Sequence, residues 1–215
     1  MPIFDLNLSG PNVIIAPSRE QLEEAFTPYA TELGRLVYAW NRLQERLARL
    51  FCIVCNFEDE AVGPAIWYSI PSDLSQRKML RAAIDNSKKQ VVPESADLIW
   101  LLDKVDTILA HKRNDALHAP FVLVTGTDDQ SQFTKMVSDM FSDNPKAAKL
   151  HGKDLMAEFQ WYANYADALS SYADSMIDHL HYPDDEPWPK KPSLPHRGQK
   201  KNRKADTPKN TRTKP

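Results

Sequence analysis

The chain has 215 residues, 42% of them hydrophobic and 26% charged, with a formal net charge of −2. This is the composition of one globular domain with ends, large enough to bury a sizeable core. Nowhere does an uninterrupted apolar run approach the roughly 18 residues of a membrane span, and two cysteines make no disulfide framework. The charge is unevenly placed: residues 1–182 hold 17 basic and 25 acidic side chains, net −8, whereas residues 183–215 hold 10 and 4, net +6.

The opening stretch MPIFDLNLSGPNVIIAPS lacks a basic leader and a long apolar segment, so a cytoplasmic protein is expected. Residues 1–17 read as an N-terminal extended segment, with short extended pieces around Ile3–Leu8 and Val13–Ile15. Ser18 followed by Glu20 and Gln21 reads as a helix start. From about Pro28 to Asn56 the pattern is clearer. Leu33, Leu36, Trp40, Leu43, Leu47, Leu50 and Val54 recur in steps of three and four, with Glu32, Arg35, Arg42, Glu45, Arg46 and Arg49 on the other faces. This predicts a long amphipathic helix with a bundle-type seam.

Residues 57–71 break that pattern, and Ser72 or Asp73 caps a second helix running to about Lys89. Pro93, Glu94 and Ser95 open a third helix with Leu98, Leu102, Val105 and Leu109 on its inward face, which Pro120 stops. FVLVTG reads as a short extended piece and DDQSQFTKMVSDMF as a short helix. A last long helix, from about Lys153 to His181, carries Leu155, Phe159, Tyr162, Ala166, Leu169, Ala173, Met176 and Leu180 in the same steps. The fold class expected is all-α, an up-and-down bundle of about four long helices over residues 18–182, the two longest packing nearly antiparallel at roughly 20°. Residues 183–215, rich in proline and lysine and poor in aliphatic bulk, are expected to form a disordered basic tail. No internal repeat is present.

Cys52 and Cys55 lie inside the first long helical pattern without a second pair to complete a thiolate zinc site, so both read as reduced, packed thiols. His179 and His181 have no ligand partners at metal spacing. No metal and no cofactor is assigned.

The stretch HKRNDALHAP, residues 111–120, places two histidines, an arginine and an asparagine where the third helix ends. Basic residues there complement the helix dipole and can bond its last carbonyls, which gives His118 a capping role and Arg113 an ion-pair partner in Asp106 or Asp115. On a wheel of about 100° per residue with Leu98 inward, Arg113 falls about 60° away, on the core margin, and His118 about 200° round. Asn114 and His118, four apart, share a face. The outer stripe also carries Trp100, Thr107 and His111, which points to a second contact surface and a site completed at an interface.

Arg113-Asn114-x-x-x-His118 at the end of the third helix of an α-bundle resembles the R-x(4–6)-H signature of the HEPN superfamily. The resemblance covers residues 28–182 in architecture and these three residues in motif. It implies a homodimer in which both copies of the motif face one cleft, acting as a metal-independent endoribonuclease. His118 would then be the general acid or base, Arg113 the phosphate clamp and Asn114 an orienting partner. Toxin-like members often carry a tyrosine two residues after the histidine, where this chain has Pro120 and so no hydroxyl. The resemblance also implies RNA as ligand and a cognate antitoxin or regulatory protein as partner. Because the superfamily includes inert members, the second function expected is a noncatalytic interaction module.

Further nucleic-acid contacts are expected from Arg77, Lys78 and Arg81 on the second helix, as a basic groove, and from Lys200, Lys201, Arg203 and Lys204 in the tail. Trp161 with Tyr162, Tyr165 and Tyr172 could stack bases, or serve the packing of the bundle.

Overall fold

A computed structural model describes residues 4–5, 18–57, 59, 61–87, 95–127, 132–139 and 143–196. Among these residues the chain is mostly helical, with a small sheet at one side. The order is β1 (Phe4–Asp5), α1 (Arg19–Cys55), α2 (Val62–Ser69), α3 (Asp73–Asn86), α4 (Ser95–Lys104), a π turn (Val105–Ala110), α5 (His111–His118), β2 (Phe121–Thr127), β3 (Gln132–Ser138), α6 (Pro145–Ala148) and α7 (Leu155–His181). No helix among them is long and apolar enough to cross a membrane.

α1 starts where the sequence predicts. Ser18 accepts the Gln21 N–H through Oγ (3.2 Å), and Gln21 Oε1 accepts the Ser18 N–H (2.8 Å), so two orphan donors of the first turn are satisfied reciprocally. The helix then passes through Pro28 without a break and ends at Asn56, whose left-handed backbone (φ 48°) terminates it. The predicted seams form the core: Leu36, Trp40, Leu43, Leu47, Leu50 and Val54 of α1 and Phe159, Tyr162, Ala166, Leu169, Ala173 and Met176 of α7 are all buried.

The direction of that pairing differs from expectation. Glu32 accepts from Gln160, Arg35 donates to Asn164 (2.5 Å), Arg42 lies 3.5 Å from Asp174, and Arg46 pairs with Asp174. Numbers rise together on both helices, so α1 and α7 run parallel. A shared apolar period aligns two stripes but carries no information on polarity. α3 and the α4–α5 helix run antiparallel, through Arg77–Asp106 (2.6 Å) and Arg81–Asp103 (2.5 Å).

The break at residues 57–71 holds a helix that was not anticipated, α2. It lies close on α1 because residue 63 is glycine; a Cβ there would fall 2.5 Å from the Cys52 sulfur. The segment read as a short helix, DDQSQFTKMVSDMF, instead supplies β3, antiparallel to β2 from Phe121↔Ser138 to Thr127↔Gln132. Its side chains alternate, with Met136 and Ser138 buried and Lys135 exposed, a period of two that a short apolar run cannot declare on its own. β1 adds in parallel, with Phe4 opposite Val124. Val13–Ile15 lie outside the described residues.

The tail also departs from expectation. Residues 183–196 fold back over α4 and α7, with Trp188 and Leu194 packed against the core. Composition alone hid this, because one tryptophan and one leucine supply the apolar anchors among five prolines. Residues 197–215, with Lys200, Lys201, Arg203 and Lys204, lie outside the described residues.

Candidate functional site

The α4–α5 helix presents the residues of interest after a local change of pitch. Over Val105–Ala110 the backbone takes π geometry. Such a turn adds about one residue to the spiral, setting back everything downstream by roughly 100°. Val105 and Leu109 stay buried through it. The straight wheel drawn from Leu98 is therefore out of phase by Arg113.

Arg113 lies on the indole of Trp40, its guanidinium carbon 5.2 Å from the ring centroid. Arg77 reaches the same indole from α3, at 5.5 Å. The ring is itself fixed, since Trp40 is 2% exposed and its Nε1 donates to Asp73 Oδ2 (3.1 Å). Asp73 is also the carboxylate nearest Arg113, at 4.0 Å, rather than the expected Asp106 or Asp115. Those two are engaged elsewhere: Asp106 with Arg77, and Asp115 with Lys149 (3.0 Å). Burial presses the Arg113 guanidinium below its ordinary pKa, with Asp73 opposing and the charge of Arg77 adding to the shift. Arginine nonetheless stays charged.

Asn114 does not bond His118. Its Oδ1 accepts from Arg113 Nη1 (2.8 Å), so the asparagine orients the guanidinium directly. His118, the last residue of α5, is exposed, and its side chain makes no hydrogen bond among the described residues. Five positions separate it from Arg113 on a regular helix, about 7.5 Å along the axis and 140° round. The helix thus presents a seated guanidinium and a solvent-facing imidazole that do not converge on one point. Arg113 Nε and Arg77 Nη1 are buried without a partner among the described residues.

The stripe expected at an interface is divided. His111 and Thr107 are exposed, and Thr107 Oγ1 donates to the Asp103 carbonyl (2.5 Å). Trp100 is not on an open face: its ring meets Tyr172 edge-on (5.6 Å), with the ammonium groups of Lys104 and Lys191 5.7 and 5.6 Å from it. Of the expected basic groove, Arg77 is interior, its side chain 3% exposed and paired with Asp106. Arg81 pairs with Asp103, and Lys78 is exposed. Tyr162, Tyr165 and Tyr172 are buried in the bundle.

In the sequence Trp40 marks only a seam position and Asp73 only a helix start. The usable signal was a tryptophan in a leucine seam, whose N–H requires a partner when buried. Cys52 and Cys55 are unpaired and half-buried, and burial raises both thiols. Among the described residues no group of three His, Cys, Asp or Glu could hold a metal ion. Compared with known proteins, the chain matches no family model, no curated protein and no solved structure.

Proposed function

We propose that the protein is a HEPN-type, metal-independent endoribonuclease in which Arg113 and His118 act on an RNA phosphodiester. One observation carries this reading. Arg113 is held by the Trp40 ring and the Asn114 carbonyl, partly desolvated, and left with its nearest carboxylate 4.0 Å away. A fixed guanidinium that is not tightly neutralised is suited to the nonbridging oxygens of a phosphate, which it meets with two parallel N–H groups.

In the reaction, the ribose 2′-oxygen attacks the adjacent phosphorus and the bond to the 5′-oxygen breaks, leaving a 2′,3′-cyclic phosphate and a 5′-hydroxyl. His118 takes the 2′-OH proton or supplies one to the leaving oxygen, the proton transfer that a positioned imidazole performs. Because Arg113 and His118 diverge on one helix, a homodimer with both motifs facing one cleft supplies a complementary pair, and a cognate antitoxin or regulatory protein would cover that cleft.

The test is cleavage of single-stranded RNA in EDTA. His118→Ala is expected to lower the rate by about 10² to 10⁴ while leaving the Tm nearly unchanged. Arg113→Lys keeps the charge but not the planar fork and is expected to lose much of the activity. Wild-type protein that cleaves nothing in EDTA would leave the noncatalytic interaction module as the better reading, with Arg113 serving to seat Trp40.

A further inference from the structure

From the end of α7 the chain turns back along the helix it has just left. Trp188 packs edge-on against His179, at 5.3 Å between ring centres, and Trp161 Nε1 donates to the Pro195 carbonyl (3.0 Å). Between these two anchors the strap retraces α7 from residue 179 to residue 161, about 27 Å of helix. Seven steps of extended chain cover about 23–25 Å, which the two indole side chains complete, whereas seven of α-helix would cover about 10 Å.

The sequence dictates which extended form this is. Pro189, Pro192 and Pro195 stand three apart. Each fixes its own φ near the polyproline II value and pushes the residue before it, Trp188, Lys191 or Leu194, out of the helical region. Three residues make one turn of the polyproline II helix, and burial follows that period. Trp188, Pro189, Pro192, Leu194 and Pro195 are half-buried, while Pro187, Lys190, Ser193 and His196, every third residue, are exposed.

The surface beneath is matched to such a ligand. Trp161, Tyr165, Tyr172 and His179 fall within about 40° of one another around α7, an aromatic stripe along the helix. α4 supplies a second wall with Asp97 and Trp100, whose ring meets Tyr172 edge-on (5.6 Å). A polyproline II helix has no internal hydrogen bonds, so its carbonyls are free to accept from the surface it lies on, as Pro195 does from the Trp161 indole. Asp97 takes the Trp188 N–H on Oδ2 (2.8 Å) and Lys191 on Oδ1 (2.7 Å), and the Lys191 ammonium lies 5.6 Å from the centre of the Trp100 ring. Aromatic-lined grooves are a general means of recognising proline-rich segments. Here an indole donor and a carboxylate extend the reading to a carbonyl and a lysine.

We propose that the α4–α7 face is a recognition groove for proline-rich segments, which the strap fills in cis and a segment of another protein fills in its place. The partner it fits repeats the strap's own pattern, Trp188-Pro189, Lys191-Pro192 and Leu194-Pro195: three residue–proline steps spaced by three, apolar at the outer two and cationic at the middle one. Charge favours such a partner, because residues 1–182 are net −8 and Asp97 stands in the groove. The strap's contacts are half-exposed ones that a second chain can reproduce. Its advantage over that chain is the tether, which supplies an effective concentration on the order of millimolar.

The probe is a fluorescein-labelled peptide with the sequence of residues 186–196, EPWPKKPSLPH, titrated into the full chain and read by anisotropy. Trp188→Ala with Leu194→Ala frees the strap and is expected to tighten probe binding about tenfold or more over wild type, with the circular dichroism unchanged. Lys191→Gln alone, an exposed change that leaves the core intact, should tighten it to a smaller degree. In the strap-freed protein Trp161→Phe, which keeps a ring and removes the N–H, is expected to weaken the probe severalfold. Asp97→Asn should do the same, and have no further effect on a probe whose own Lys191 is replaced by Gln.

Probe affinity equal in wild type and in both strap variants would overturn the proposal. So would equal binding of a probe with Pro189, Pro192 and Pro195 replaced by Ala, or additive effects of Asp97→Asn and the probe's Lys191→Gln. A wild-type dimer in sedimentation that both strap variants lose would make the occupant the strap of a second copy, and would overturn the assignment to another protein.

Discussion

Two indoles in this protein make the same pair of contacts with different consequences. Trp40 donates to Asp73, which also faces Arg113, and Trp188 donates to Asp97, which also faces Lys191. Trp40 sits inside the seam at 2% exposure with a second guanidinium, Arg77, against it. Trp188 is only half-buried and belongs to a segment outside the regular helices and strands. An indole N–H on an aspartate with a cation nearby is thus no guide to strength. Burial decides whether the unit is part of the core or a clasp on its outside.

The widest separation between the two should come from removing the rings. Trp40→Ala is expected to cost about 3–5 kcal/mol, because it empties a core site and strips two guanidinium groups of their seat. Trp188→Ala is expected to cost about 1–2 kcal/mol. The loss should be confined to residues 183–196, visible as faster amide exchange there with α1 and α7 still protected. A global loss of equal size for both would erase the distinction.

A smaller effect tests the cations on Trp40. Arg77→Met leaves Asp106 without its partner and is expected to cost up to about 3 kcal/mol, since the arginine side chain is 3% exposed and the pair is tight at 2.6 Å. Arg113→Met, on the same ring but more exposed, is expected to cost about 1 kcal/mol. Thermal melts of the two variants side by side read the difference directly.

The smallest effect is one of pH. Burial on its own would raise the Asp97 carboxyl, but hydrogen bonds from Lys191 and Trp188, the Lys191 charge and the Tyr172 hydroxyl together hold it below the usual range. A carboxyl with a depressed folded-state pKa contributes stability above its unfolded pKa and loses it as the pH falls. Strap docking should therefore be constant at neutral pH and weaken below about pH 4, the ordinary aspartate range. Tryptophan emission, compared with that of Trp188→Ala, follows it.

What could be read in the sequence was local or periodic. The Ser18–Gln21 capping box, the Leu36–Val54 stripe and the stop at Pro120 each follow from residues a few positions apart. Polarity of the α1–α7 pair, the π turn and the strap do not. The first depends on how intervening segments cross the molecule, and the second on a one-residue offset to which VDTILA gives no composition cue. The strap depends on Asp97, some 91 residues from Trp188. At the candidate site the motif residues were visible, but their support was not: Asp73 meets Trp40 across 33 residues of sequence.

The parallel pairing of α1 with α7 also bears on how the chain is made. Arg35 and Asn164, which join the two helices, stand 129 residues apart. At a synthesis rate of about 5–20 residues per second, the leucine stripe of α1 leaves the ribosome on the order of ten seconds before its long partner exists. Over that interval α2 and α3, which pack on α1 and precede α7 in the chain, are the elements available to shield part of its apolar stripe.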